Sequence, residues 1–128
     1  MFTKLANLHQ KCFPTKPWSA DDFRDLKNSG CEIIMSENGF IVYRIVVDEM
    51  EIITIGVAPE MRRQGTASAM IGIIEKEALC QGVKKIFLEV ALTNTPAKKL
   101  YETMGFKTVG VRPKYYDGVD AILMAKEI

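Results

Sequence analysis

Residues 50–92 change their hydrophobic period twice, and this change restricts the fold more than any other feature of the sequence. Residues 50–58 are typical of a β-strand, residues 64–81 carry apolar residues at helical spacing before Gly82, and residues 84–92 are again almost all apolar. A strand, a helix and a second strand in this order predict a parallel pair, because a crossover of that length returns the chain in the same direction. A nearly unbroken apolar strand is typical of one covered on both faces. The sequence therefore predicts an α/β fold.

Shorter predicted elements flank this crossover on both sides. Helical spacing of apolar residues predicts helices over residues 1–12 and 19–28, with Ser19 as the N-cap of the second. After the crossover, Thr95 as N-cap and Pro96 as first helical residue predict a short helix that ends before Gly105. The remaining predicted strands are 31–37, 39–47, 106–112 and 121–127, and a loop containing Tyr115, Tyr116, Asp117 and Gly118 joins the last two. The predicted sheet is mixed and mostly antiparallel, with flanking helices.

The length and charge of the chain restrict its organisation and partners. A chain of 128 residues predicts one domain, residues 1–128. Its 17 basic and 16 acidic residues nearly cancel, which argues against a general electrostatic attraction to nucleic acid or to an anionic membrane. The sequence shows neither a signal peptide nor an apolar run long enough to span a bilayer. We therefore expect a cytoplasmic protein that is a monomer or a weak homodimer.

Side chains that bind metals or act as nucleophiles are few. Cys12, Cys31 and Cys80 form no CxxC pair and are interpreted as reduced thiols of the core. His9 is the single histidine and is interpreted as a surface residue without a role. We therefore expect no metal site and no nucleophilic cysteine.

Residues 57–67 join the end of a predicted strand to the first turn of the long helix. Backbone N–H groups at a helix N-terminus have no intrahelical partner, and together with the helix dipole they attract anions. Gly65 and Ala67 leave room for a phosphate to approach the backbone, and Arg62 and Arg63 add positive charge. The pattern predicts a pyrophosphate site. The alternative is an ordinary strand-to-helix turn with solvated arginines.

Three polar side chains after the long helix are candidates for chemistry. Glu89 interrupts an apolar strand, where burial would raise the pKa of its carboxyl group toward the range of a general base. The alternative is that Glu89 pairs with an arginine or lysine at the sheet surface. Tyr101 lies on the inward face of its helix and is either functional or a core aromatic. Asn94 either forms a hydrogen bond with the backbone of its own turn or reaches an amide group of a ligand.

The loop of residues 13–18 joins the two predicted N-terminal helices. Its prolines exclude a helix, and its aromatic residues Phe13 and Trp18 are costly to leave exposed. We expect this loop to pack against another part of the protein or against a ligand.

The order of these features resembles the GNAT superfamily of N-acetyltransferases. Within it the sequence is most similar to bacterial RimI-type enzymes, which acetylate the N-terminal alanine of a ribosomal protein. The resemblance covers almost the whole chain. The matching positions are Phe13, Pro17-Trp18-Ser19, Ile55-Gly56-Val57, Arg62 to Ala67, Leu88-Glu89-Val90, Asn94, Leu100-Tyr101-Glu102, Gly105-Phe106, Tyr115-Tyr116 and Asp120-Ala121.

The resemblance implies a twisted sheet whose parallel central pair splays apart to admit acetyl-CoA, with no metal. Ile55, Gly56 and Val57 would pair with the pantetheine arm, and Asn94 would touch it. The pyrophosphate would be held by Arg62, Arg63, Gln64, Gly65, Thr66 and Ala67.

The resemblance also implies roles in the reaction. Glu89 would accept a proton from the incoming ammonium, through water, and Tyr101 would donate one to the departing thiolate. The acceptor would be bound by Phe13, Trp18, Tyr115 and Tyr116. The expected acceptor is the N-terminal amine of a protein. A small-molecule amine is the alternative within enzymes, and a non-catalytic acyl-CoA-binding domain is the alternative outside them.

The chain departs from the family pattern at two places. Family members usually begin with a further strand before the first helix, and this sequence begins at what resembles that helix, so we expect a sheet that lacks this edge strand. An arginine is common in the family where this chain has Ala91, two residues after Glu89. Peptide recognition is therefore expected to differ from that of the prototype.

Overall fold

The computed structural model describes residues 1–116 and 118–128, with the side chains of Tyr115 and Tyr116 outside the description. The helices are α1 (Phe2–Cys12), α2 (Ala20–Asn28), α3 (Thr66–Cys80) and α4 (Thr95–Thr103). The strands are β1 (Glu32–Met35), β2 (Gly39–Val46), β3 (Glu49–Val57), β4 (Lys85–Ala91), β5 (Lys107–Tyr116) and β6 (Val119–Glu127). A short 3-10 helix, Pro59–Met61, follows β3.

The strands of the described residues form a six-stranded sheet in the order β1-β2-β3-β4-β6-β5. β3 and β4 pair in parallel, with Glu49 opposite Lys85 and Glu51 opposite Phe87. The ladders between β1 and β2, β4 and β6, and β5 and β6 are antiparallel. The predicted fold class, a mixed and mostly antiparallel sheet with helices and a parallel crossover pair, is therefore confirmed.

The first of two compact units in the chain contains Met1–Arg44 and Ile53–Ile74. Its core is formed by apolar side chains of α1, α2 and β2 and by Cys31, which directly precedes β1; the helix and strand members include Leu5, Leu8, Phe23, Phe40 and Val42. The predicted N-cap of α2 is confirmed, because the Ser19 hydroxyl accepts from the Asp22 N–H and the Asp22 carboxylate accepts from the Ser19 N–H. This capping box fixes the point at which the chain leaves the loop of residues 13–18 and enters α2.

The second compact unit contains Ile45–Ile52 and Glu75–Ile128. The ladder between β4 and β6 runs from Lys85 opposite Glu127 to Ala91 opposite Ala121. Along β4, buried and half-buried residues alternate. The prediction of a strand covered on both faces therefore holds fully for one face, which is buried, and in part for the other, which contains Glu89 and keeps partial access to solvent.

Two predicted boundaries after the crossover were wrong. The N-cap of α4 is Asn94 and not Thr95, because the Asn94 side-chain oxygen accepts from the Ala97 N–H at 3.3 Å. β5 continues to Tyr116 instead of ending near residue 112, and irregular register between Arg112 and Tyr116 breaks its alternating pattern. None of the helices within residues 1–116 and 118–128 is both long and apolar enough to cross a membrane.

Candidate active site

The end of β3 is fixed by side chains that bond its last carbonyl. The Val57 carbonyl oxygen accepts from Arg62 Nε at 3.0 Å and from the Cys12 thiol at 3.3 Å. Burial raises the pKa of Cys12, against a smaller opposing effect of Arg62, so this thiol stays protonated and donates. Part of the Arg62 side chain is therefore used to hold the strand end.

The turn from β3 to α3 has the backbone shape expected of an anion site. Arg63 and Gly65 adopt φ values of 65° and 80°, in the left-handed region. A Cβ built on Gly65 would meet no atom within 4 Å, so the space beside this backbone is open. α3 begins at Thr66, and the N–H groups of its first turn point away from the helix without intrahelical partners. Open space beside Gly65, the N-terminus of α3 and the exposed Arg63 fit a pyrophosphate.

Contacts within the protein explain why a glycine lies at position 56. A Cβ at this position would lie 2.7 Å from the Phe40 ring and 3.0 Å from the Cys12 sulfur. Its neighbour Ile55 is half-buried and Val57 is buried. The lack of a side chain at Gly56 therefore lets Phe40 and Cys12 pack directly on β3, whatever else the strand binds.

Glu89 has a cationic partner in the second unit. Its Oε1 accepts from Arg112 Nη2 at 2.6 Å, and 19% of its side chain is exposed, against 51% for Arg112. The register places Arg112 opposite Ala121, and Glu89 opposite Leu123, so the ion pair spans β6. The structure thus shows the pairing that the sequence left open as the alternative for Glu89. Because the Glu89 side chain is partly exposed, water can reach its carboxylate, and Oε2 can accept a proton.

Tyr101 and Asn94 belong to the α4 region of the same unit. Tyr101 is 6% exposed and packs edge-on against Phe106, with ring centroids 5.9 Å apart. The Asn94 oxygen accepts one hydrogen bond as the N-cap of α4, and the Nδ2–H groups are the donors that this side chain can offer a ligand. Both residues therefore have clear structural contacts in addition to the roles that the resemblance implies.

The loop of residues 13–18 packs on His9, and the interpretation of His9 as a surface residue was wrong. His9 is 3% exposed and its ring lies 4.6 Å from that of Phe13 and 4.7 Å from that of Trp18. Burial lowers the pKa of His9 to about 4, only partly offset by the negative charge of Asp22. The predicted packing of the loop is confirmed for Phe13 and Trp18. The side chains of Tyr115 and Tyr116 lie outside the described residues.

The described residues were also compared with the expectations for metal ligands and for the three cysteine thiols. Within the described residues, no cluster of three or more His, Cys, Asp or Glu side chains could hold a metal ion. Cys31 is a buried free thiol, but Cys12 is half-buried and Cys80 is exposed, so the prediction that all three belong to the core was wrong.

Arg112 and His9 are two residues near the candidate site whose contacts the sequence did not show. Arg112 reaches Glu89 through a register that includes two shifts between β5 and β6, and such shifts leave no signal in composition or period. His9 lies on the apolar face of α1 with Leu5 and Leu8, and this spacing was the signal that could have placed it inside.

Comparison with known proteins identifies the family. Residues 2–106 match the family model described as acetyltransferase (GNAT) family. The chain is 35% identical over 123 residues to the [ribosomal protein bS18]-alanine N-acetyltransferase of Escherichia coli strain K12, which covers 88% of this chain and 82% of that protein.

Two solved structures extend the comparison. The ribosomal-protein-S18-alanine N-acetyltransferase from Escherichia coli superposes with a TM-score of 0.89 and 29% identity, over 99% of this chain and 87% of that one. Nourseothricin acetyltransferase superposes with a TM-score of 0.66 and 31% identity, over 70% of this chain and 57% of that one. The family model matches most of the chain and the relative from Escherichia coli is 35% identical, so the chain belongs to the GNAT family of acetyltransferases.

Proposed function

We propose that this acetyltransferase moves the acetyl group of acetyl-CoA onto the N-terminal amine of a protein, with a ribosomal protein that begins with alanine as the first candidate. The observation that carries the proposal is the β3-to-α3 turn, where open backbone at Gly65 and positive φ values precede the start of α3. The similarity to the bS18-alanine N-acetyltransferase of Escherichia coli supports the choice of acceptor.

Residues of the first unit are proposed to bind the cofactor. Arg63 to Ala67 would hold the pyrophosphate through backbone N–H groups, helped by the charge of Arg62 and Arg63. Ile55, Gly56 and Val57 would pair with the pantetheine arm through backbone groups. Because the Val57 carbonyl already accepts from Arg62 and Cys12, its N–H is the group proposed to steady an oxyanion. Acetyl-CoA, when bound, supplies an activated thioester.

Residues of the second unit are proposed to move protons. Glu89 accepts the proton that the ammonium must lose before its nitrogen attacks the thioester carbon, through a water molecule on Oε2, while Arg112 holds Oε1. Attack by the nitrogen would form the new C–N bond and place negative charge on the thioester oxygen. The C–S bond would then break as the carbonyl re-forms, and Tyr101 would give its hydroxyl proton to the leaving sulfur. Asn94 would contact the arm through Nδ2–H.

The acceptor is proposed to contact the loop of residues 13–18 through Phe13 and Trp18. Tyr115 and Tyr116 keep the same proposed role from the sequence. An aromatic wall suits an extended peptide, because it covers apolar side chains while leaving backbone groups available for hydrogen bonds. The similarity to nourseothricin acetyltransferase favours a small-molecule amine as the second candidate acceptor.

Acetyl transfer to a matched set of amines tests this proposal. The enzyme is given acetyl-CoA and amidated hexapeptides that differ only in their first residue, beside polyamines, amino acids and aminoglycoside-like amines, and release of the CoA thiol is measured. We expect kcat/KM to be highest for the peptide that begins with alanine, and the same peptide with a blocked N-terminus is the control. Higher kcat/KM for a small amine would replace the proposed acceptor, and cofactor binding without turnover of any amine would favour a binding domain.

A further inference from the structure

His9 is unusual among the core residues because it is polar. At 3% exposure it is the one buried side chain among the described residues that carries a nitrogen atom. Buried polar groups are generally retained only with a hydrogen-bond partner, since an unpaired one loses the free energy of its hydration. The contacts of His9 therefore indicate why an imidazole, and not a phenyl ring, lies at this position.

The contacts of His9 lead to the loop of residues 13–18. The Trp18 backbone N–H donates to His9 Nδ1 at 3.0 Å, which places the ring proton of a neutral imidazole on Nε2. The Trp18 ring stacks on the imidazole with 14° between planes, and the Phe13 ring lies on it at 34°. His9 thus contacts both loop side chains that the proposed function assigns to the acceptor.

His9 also contacts two aromatic side chains of the core. Its ring meets Phe23 of α2 at 5.6 Å and Phe40 of β2 at 5.8 Å, and both of these side chains are fully buried. The imidazole therefore links the core to the loop, because it packs on two buried aromatic rings and accepts a hydrogen bond from the Trp18 backbone N–H.

Trp18 also faces a surface cavity of about 480 Å³, which it lines together with Asp22, Asp25, Leu26 and Ser29. The stack on His9 fixes the indole that forms this wall. The indole also lies 5.5 Å from the ring of Phe23, and a shift of the indole would change the shape of the cavity.

We propose that His9 is a positioning residue for the acceptor: it holds Phe13 and Trp18 in the geometry that binds the acceptor amine, and takes no part in cofactor binding or proton transfer. This inference rests on the proposed function, in which the loop of residues 13–18 contacts the acceptor. The neutral state required of Nδ1 is maintained at neutral pH, since burial lowers the pKa of His9 to about 4.

Two substitutions separate the contacts of His9. His9→Phe keeps an aromatic ring for the stack and leaves the Trp18 N–H without its acceptor, whereas His9→Asn keeps an oxygen close to the position of Nδ1 and removes the ring. The probe is an amidated hexapeptide that begins with alanine. Cys31→Ala is the matched control, because Cys31 belongs to the same buried cluster but makes no aromatic contact with the loop.

We expect His9→Phe to raise the acceptor KM by roughly tenfold, which is the usual effect of one lost hydrogen bond, while kcat and the Kd of acetyl-CoA stay within about twofold. His9→Asn should recover part of this loss. Cys31→Ala should lower the free energy of unfolding without changing KM. Since Trp18 is the single tryptophan, its fluorescence reports the loop directly: emission should shift to longer wavelength in both His9 variants and not in Cys31→Ala.

An unchanged KM in His9→Phe, with wild-type turnover of the peptide intact, would overturn the role of His9 and leave the proposed function standing. If the wild-type enzyme acetylates small amines but no peptide, the proposed acceptor is wrong, and the same KM comparison with the best amine decides whether His9 still positions the acceptor. If His9→Phe does not fold, His9→Asn and its Trp18 emission provide the test. Equal losses of kcat and of acetyl-CoA affinity in both variants would show a structural role only.

Discussion

The β3-to-α3 turn and the β4 and α4 region differ in the groups proposed to act. At the turn these groups belong to the backbone, whereas on β4 and α4 they belong to side chains. At the turn, the favourable features are positive φ values, open space beside Gly65 and the start of a helix. On β4 and α4 they are the Glu89 carboxylate with its Arg112 partner and the Tyr101 hydroxyl. A side-chain group can be removed while the fold stays intact, but a backbone site changes only when the conformation changes. Substitutions in the two regions should therefore affect different kinetic constants.

The largest effect is expected for Glu89→Gln. An N-terminal amine has a pKa of about 7.7 to 8.0, so a large share is ammonium at neutral pH and must lose a proton before it attacks. Loss of the proton acceptor should lower kcat by about 100-fold to 10,000-fold at pH 7, with partial recovery as pH rises through the amine pKa and unchanged acetyl-CoA affinity. Turnover across pH 6 to 9 checks this.

Glu127→Gln, on β6, is the control for the loss of one negative charge on the same sheet. An equal loss of kcat for Glu89→Gln at every pH would indicate substrate positioning instead of proton transfer. A variant that unfolds would show that the Glu89–Arg112 pair is a structural contact.

A smaller effect is expected for Tyr101→Phe, which keeps the ring that packs on Phe106 and removes only the hydroxyl. Turnover should fall by roughly 100-fold, the usual contribution of one general acid, with cofactor affinity nearly unchanged. Tyr43→Phe is the matched control, since Tyr43 is a buried tyrosine of β2. Single-turnover kinetics, in which chemistry limits the rate, provide the measurement. Wild-type turnover in Tyr101→Phe would leave Tyr101 as a core aromatic.

The backbone region should respond to Gly65→Val in binding. A β-branched residue is strained at a φ of 80°, and its side chain would occupy the open space proposed for the pyrophosphate. We expect the free energy of acetyl-CoA binding to weaken by on the order of 2 kcal/mol, about 30-fold in Kd. Gly82→Val is the control, because Gly82 has a φ of 75° and equally open surroundings at the end of α3. Equal affinities of the two variants, measured by calorimetry, would remove the turn from the cofactor site.

The smallest effect concerns the pH dependence of stability. His9 has a pKa of about 4 in the folded protein against 6.5 as an unperturbed group, so the unfolded chain binds more protons between these values. The neutral, buried His9 makes its full contribution to the free energy of unfolding above pH 6.5, and this contribution is lost as pH falls toward 4. Between pH 7 and pH 5 we expect a loss of about 1 to 2 kcal/mol in the free energy of unfolding.

Urea unfolding at both pH values measures this loss, and His9→Asn should show a smaller change between them, since its amide does not titrate. A wild-type protein equally stable at pH 7 and pH 5 would mean that the imidazole is already accessible to protons in the folded state.

Much of the fold follows from local pattern. The switch of period across residues 50–92 predicted the parallel pairing of β3 with β4, and Ser19 predicted the start of α2. Both were predicted from signals that lie within short segments, the period of each element in the first case and the residues of the cap in the second. The Glu89–Arg112 pair and the aromatic surroundings of His9 depend instead on segments far apart in sequence, brought together by strand register and helix packing. Asn94 and Thr95 are both good N-caps, and only the geometry of the turn decided between them.

The alternation along β4 has a consequence for the chain before it folds. One edge of β4 pairs with β3, which precedes it, but the other edge pairs with β6, which is made only after α4 and β5, so the backbone groups of this second edge wait for a partner while the intervening chain is made. Ile86, Phe87, Leu88 and Val90 would make such a segment prone to self-association, and the charge of Glu89 in their midst opposes it. The charge of Glu89 is thus also expected to keep the unfolded chain from associating during synthesis. For neutral substitutions at Glu89, the yield of soluble protein should therefore be measured beside activity.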